Sequence, residues 1–198
     1  MPSNEIARII RLVRRRNRDK TIPLDWNVVV MTEPGGTGRV LDALSGHGRF
    51  FPSQYPSVIV GRTESDDSLD VLAELRRTDP GRFDHIRKIM PVESVVAFDR
   101  DDVTEALCVA LHGKGARLAN KTFYVRARLR GLKGRLETQA VERALGGFLI
   151  DEAARAGGAA TVRFDDPDVV VIAEVLGKTV GWAFLERDRR DPALLRTR

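Results

Sequence analysis

Apolar positions follow two rhythms along this chain: a period of two, or an unbroken β-branched run, where strands are predicted, and a three-four spacing where helices are. The run Trp26–Thr32 predicts a buried central strand. After the loop Pro34-Gly-Gly-Thr-Gly38, a short helix is predicted over Arg39–Leu44. Pro52 to Pro56 marks a loop, Ser57–Arg62 a second strand, and Ser68–Arg77 a helix with Leu69, Leu72 and Leu75 inward and Asp66 or Asp67 as its N-cap. Beyond the turn at Asp79-Pro-Gly81, residues 83–98 carry a third strand region interrupted at Pro91.

The second half opens with Asp99 to Asp102, placed to cap a helix over Val103–Leu111 whose stripe is Val103, Leu107, Ala110 and Leu111. Gly113-Lys-Gly115 closes it. From Phe123 to Arg130 the residues alternate: Phe123, Val125, Ala127 and Leu129 fall on one face, Tyr124, Arg126, Arg128 and Arg130 on the other. A helix follows over Glu137–Ala156, with Val141, Leu145, Phe148 and Leu149 inside. Gly146 and Gly147 each cost a helix roughly 1 kcal/mol relative to Ala, so something is expected to pack closely there. Residues 168–176 and 178–185 form a predicted hairpin across Gly177. At the two ends lie an amphipathic helix over residues 4–18, with Ile6, Ile9, Ile10 and Val13 opposite Arg8, Arg11, Arg15 and Arg18, and a charged tail expected to be mobile. The basic helix suits RNA or an acidic membrane surface, or a solvated position on the body.

A hydrophobic fraction of 42% in 198 residues is ample for one packed domain or two small ones. The net charge of +5 is unevenly placed. Residues 1–20 hold seven basic and two acidic side chains, and residues 114–143 hold nine basic against two acidic. Same-sign arginines on one strand face repel unless a polyanion lies across them, and Arg pairs bidentately with phosphate. The face Tyr124/Arg126/Arg128/Arg130 is therefore either a solvated outer face or a nucleic-acid surface, and the charge excess favours the second.

Familiar catalytic chemistry finds no pattern here. The glycine-rich loop 34–38 lacks the lysine and spacing of a P-loop. His47, His85 and His112 are scattered, and the single Cys108 has no partner in any motif, so it reads as a small buried or half-buried hydrophobe. Asp165-Asp166-Pro167-Asp168 reads as a turn before a strand. No run reaches the roughly 18 apolar residues of a membrane span, and no secretion signal opens the chain. A soluble, cytoplasmic protein without membrane contact is expected, with no metal and no cofactor.

On Thr122-Phe-Tyr-Val-Arg126, Arg128, Arg130-Gly131, Glu137, Gly146, Val162-x-Phe164, Pro167-Asp168 and Glu174, residues 121–185 resemble a THUMP domain, the RNA-binding module of tRNA thiolation enzymes, several tRNA methyltransferases and an adaptor for tRNA cytidine acetylation. The alternation of strand and helix over 26–98 is close to the ferredoxin-like domain that precedes THUMP in that family, and Arg87-Lys-Ile-Met-Pro-Val-Glu93 looks like the junction of the acetylation adaptors. The expected fold is α/β (α+β): a basic helix over 1–22, a ferredoxin-like domain over 23–98, a THUMP domain with a small mixed sheet and helices over 99–187, and a tail over 188–198.

The resemblance implies binding to the acceptor end of tRNA, including its single-stranded CCA terminus. With about ten residues past the last predicted strand, no catalytic domain is expected. A non-enzymatic RNA adaptor that presents tRNA to a separate modifying enzyme is the expected function, a cytidine acetyltransferase being the partner the architecture suggests. Expected phosphate contacts are Arg126, Arg128, Arg130, Lys133 and Arg135, extended by Arg87, Lys88 and Lys121, with Tyr124 stacking on an unpaired base or packed under the arginine stems. Two alternatives stand beside this: a subunit completing an active site with a partner, Asp165 or Asp168 then being the acid, and a protein-interaction module using the arginine face.

Overall fold

The computed structural model describes residues 24–65, 68–99, 102–132 and 134–190. The expected basic helix, the N-cap at Asp66 or Asp67, Lys133 and residues 191–198 lie outside them.

The first unit runs β1 (Val28–Thr32), α1 (Thr37–Leu44), β2 (Gly48–Pro52), β3 (Val58–Thr63), α2 (Ser68–Thr78), a single turn α3 (Pro80–Phe83) and β4 (Ile86–Pro91). Its sheet has the order β2-β3-β1-β4 with every pair antiparallel, which makes the β-α-β-β-α-β ferredoxin-like arrangement complete. The strand that the hydrophobic pattern does not reveal is β2. It is an edge strand whose residues alternate between half-buried and exposed, so its sequence Gly-Arg-Phe-Phe-Pro carries no buried apolar run. Val28, Val29 and Val30 of β1, by contrast, are all fully buried, which requires cover on both faces of the sheet.

Pro91 is not an interruption inside one strand. It is where the chain changes sheet: β4 belongs to the first, and β5 (Ser94–Ala97) pairs with the last strand of the second. The Val92 amide donates to the Asn27 carbonyl at 2.8 Å and the Glu93 amide to the Trp182 carbonyl at 2.9 Å, so neighbouring residues are bonded into different sheets. The change falls ahead of the boundary expected at 98/99.

After β5 come α4 (Val103–Leu111), a 3₁₀ turn at Gly115–Arg117, β6 (Lys121–Arg130), α5 (Thr138–Arg155), β7 (Ala160–Val162), β8 (Val169–Leu176) and β9 (Thr179–Glu186). The order is β5-β9-β8-β6-β7, with β6 parallel to both neighbours and the other pairs antiparallel. The sheet is mixed, as expected. The three-residue β7 is too short and too exposed to show in the pattern.

Every residue of β8 is buried, because its two faces serve two cores. Val169, Val171, Ala173 and Val175 join Phe123, Val125 and Ala127 of β6 under α4 and α5, whose Leu107, Leu111, Leu145 and Leu149 fill that side. Val170, Ile172 and Leu176 point the other way, into a core shared with Trp26, β1 and α1 of the first unit. Gly181 of β9 shows how tight this junction is: a Cβ there would stand 2.3 Å from the Trp26 ring. No described helix is long and apolar enough to cross a membrane.

Candidate nucleic-acid interface

The alternation of β6 places its arginines as the sequence suggests, on the face opposite Phe123, Val125 and Ala127. That face is not an open outer surface. In the parallel register Arg126, Arg128 and Arg130 stand beside Ile172, Glu174 and Leu176 of β8, and the first unit packs over the same side. Arg130 reaches across the junction, donating to the Met31 sulfur of β1 at 3.4 Å. Arg128 and Arg130 thus line a cleft between the two sheets, where Arg87 and Lys88 of β4 meet them. The cleft has a volume of about 370 Å³ and is also lined by Met31, Thr32 and Ser57.

One carboxylate organises these cations. Glu174, only 1% exposed, accepts a charge-assisted hydrogen bond from Arg130, and Arg128 Nε lies 3.9 Å from its other oxygen. Burial pushes the Glu174 carboxyl up from its ordinary value, while Arg130, then Arg128 and Lys88, pull it back. Sequence reasoning missed this internal counter-charge. The available signal was a lone Glu inside the run Val169–Leu176, since a buried carboxylate needs a partner.

Lys88 is the unusual member. It is 5% exposed, and its Nζ has no hydrogen-bond partner among the described residues. Burial, helped by Arg128, Arg126 and Arg130 and opposed by Glu174, brings its pKa down to about 8. Arg128 Nε is likewise buried without a hydrogen-bond partner, and desolvation lowers the pKa of that guanidinium. Arg87, more open, pairs with Glu33 at 3.3 Å.

The remaining candidates scatter. Lys121 pairs with Glu186 at 3.0 Å. Arg135 is exposed in the turn after β6. Tyr124 is half-buried against the first unit's core, its ring 5.8 Å from that of Phe164 and tilted by 40°. Phe164, 77% exposed, is a feature the sequence reading did not single out for a site.

Beside Tyr124 lies a second, apolar hollow of about 530 Å³, lined among others by Gly146, Gly147, Ile150 and Phe164. The expectation that something packs closely on Gly146 and Gly147 is not met among the described residues: a Cβ at either would find nothing within 4 Å. β7 pairs only with Lys121–Phe123, so the edge of β6 beyond Phe123 borders this hollow, with the Ala127 amide satisfied by Glu142 of α5 at 2.8 Å.

Of the two candidate acids, Asp165 is exposed and Asp168 has structural partners. Asp168 accepts from both the amide and the hydroxyl of Thr122, at 2.8 and 2.7 Å, and these bonds hold its pKa below the ordinary value. It clasps the start of β6 to the start of β8. Cys108 is half-buried on α4, and burial, then Glu105, pushes its thiol up, away from the nucleophilic thiolate. The described residues hold no group of three or more metal-ligating side chains.

The architecture is that of a ferredoxin-like unit joined to a THUMP-like one. Among solved structures, the chain is similar to PH1313 from Pyrococcus horikoshii, at 14% identity and a TM-score of 0.55 over 79% of this chain and 53% of that one. It is similar to TrmN from Thermus thermophilus, at 20% identity and a TM-score of 0.56 over 79% and 44%. A 4-thiouridine synthetase, solved as an RNA complex with bound ATP, matches at 13% identity and a TM-score of 0.54 over 80% and 41%. The chain therefore spans about half the length, or less, of these proteins, and the likeness is one of fold. No protein-family model and no curated protein matches the sequence.

Proposed function

We propose that this protein binds tRNA through the cationic cleft between its two sheets and presents it to a separate tRNA-modifying enzyme, a cytidine acetyltransferase being the partner its sequence resemblance favours. The observation that carries the RNA reading is the convergence of Arg87, Lys88, Arg128 and Arg130 from both units on one cleft, with Arg126 beside them on β6. It occurs on a fold shared with a 4-thiouridine synthetase that was solved bound to RNA. Guanidinium groups in a fixed row position a phosphate backbone without reading its bases, which suits a protein that selects its RNA by shape and charge.

The non-catalytic part of the reading is supported by what the acids do. Glu174 is buried and tied to Arg130, and Asp168 is held by Thr122, so each has a role in the fold that accounts for its position. The alternative of a shared active site would draw on Asp165, which is exposed.

The test is binding of the purified protein to tRNA with and without its CCA end across a range of salt concentrations. Five neutralised phosphates give a slope of log affinity against log salt of roughly −3.5 to −4.5. Salt-sensitive binding that weakens without the CCA end is expected. A flat salt response, or no binding at low salt, contradicts the proposal and leaves the cleft to an acidic protein.

A further inference from the structure

We infer that the inter-sheet cleft holds a discrete site for a dianionic phosphate monoester, the chemistry of an RNA 5′-terminal phosphate, in addition to any phosphodiester contacts along its rim. This rests on the RNA-binding reading for its biological source. The site itself stands on charge and burial.

Four cations line the cleft. Arg87 is matched by Glu33 and Arg130 by Glu174. Lys88 has no ion pair within the described residues, and Arg128 approaches only at 3.9 Å the carboxylate that Arg130 already holds. Two positive charges are thus left without a close counter-charge on a polar cavity, which is costly unless an anion supplies the balance. A phosphodiester carries one negative charge and a terminal monoester nearly two near neutrality. The monoester matches the local excess.

The placement also fits an end group. The cleft lies at a junction between two sheets, with Ser57 on one wall and Arg128 and Arg130 of β6 on the other, and its deepest cation is a lysine on a flexible stem. Diester contacts along a duplex are made at a surface, by exposed side chains; a buried ammonium calls for a group that enters. An anion in the cleft also restores the proton that burial makes Lys88 reluctant to hold, so binding is expected to weaken as pH rises through about 8, with Arg126, Arg128, Arg130 and Glu174 being the charged groups that face it.

The full chain is tested in two arms. In the first, inorganic phosphate is compared with chloride at matched ionic strength by thermal shift and calorimetry, for the parent, Lys88→Met and Arg128→Gln. Phosphate is expected to raise the melting temperature of the parent and of neither variant. In the second, acceptor-stem RNA bearing a 5′-phosphate is compared with the same RNA bearing a 5′-hydroxyl. The phosphorylated form is expected to bind about tenfold tighter, a ratio that falls to one in Lys88→Met. Phosphate stabilisation without 5′-end discrimination supports the site and assigns it to a free phosphate ester. Equal affinities together with no effect of phosphate beyond that of chloride overturn the inference. Failure of both RNAs to bind bears on the RNA reading alone, since the phosphate arm decides the site separately.

Discussion

The two faces of β6 carry the same alternation and meet opposite fates. On one, Phe123, Val125 and Ala127 are sealed by α4 and α5 into an entirely apolar core. On the other, Tyr124 and the arginines meet the first unit, whose core covers Val170 and Ile172 beside them but leaves Arg128 and Arg130 on a cavity. The first face is closed by helices of its own unit, the second by a different unit that fits only in part. The contrast teaches that a strand's polar face need not look outward to be functional. A second domain placed over it turns a solvated surface into a cleft, where fewer charges exert a stronger field.

The largest loss of stability is expected on the apolar side. Phe123→Ala is expected to cost about 3–5 kcal/mol of stability, read by denaturant melting, while RNA affinity of the protein that remains folded is unchanged. On the charged side Arg130→Ala is expected to approach the same loss, roughly 3–5 kcal/mol, because it strands the Glu174 carboxylate in a buried position. The double variant Arg130→Leu/Glu174→Leu is expected to regain much of that stability but not the lost RNA contact. Equal instability of single and double variants would show that the pair is not what matters there.

A smaller effect on the fold, and a larger one on binding, is expected from Arg126→Ala/Arg128→Ala. Stability changes little, while each lost phosphate contact reduces the magnitude of the salt slope by roughly one. Lys88→Met removes a buried charge from the same face. Because the folded pKa of Lys88 is lowered to about 8 from the ordinary 10.5, the unfolded chain binds more protons between those values, and the parent's stability rises with pH across that window. The variant lacks this rise and melts a few degrees higher at pH 7, with the gap narrowing towards pH 10. A constant gap would mean that the lysine is charged at no cost.

Much of the fold is legible in the sequence because most elements carry buried apolar periodicity. Helix Val103–Leu111 and the hairpin about Gly177 lie close to where the pattern puts them. The strands β2 and β7 escape notice since both are exposed edges, and burial is the only signal that the pattern carries. The change of sheet after Pro91 escapes for another reason: two short strands separated by Val92 and Glu93 look like one interrupted strand until their partners are known. For the site, the one-sided row of arginines is a local feature, visible in residues 126–130 alone. Its closure by Lys88 and its compensation by Glu174 are long-range facts of packing, from segments about 40 residues away on either side. Gly146 and Gly147 give the opposite lesson, since a local cost implies a close neighbour and the described residues supply none.

The most direct test of the central claim is the affinity for tRNA measured against salt concentration, for the parent and for Arg126→Ala/Arg128→Ala side by side. A steep slope is expected for the parent, a slope shallower by about two in the variant, and a variant that melts no lower than the parent. Parallel salt lines of equal height, from two equally folded proteins, would contradict the claim and remove the β6 arginines from the RNA interface.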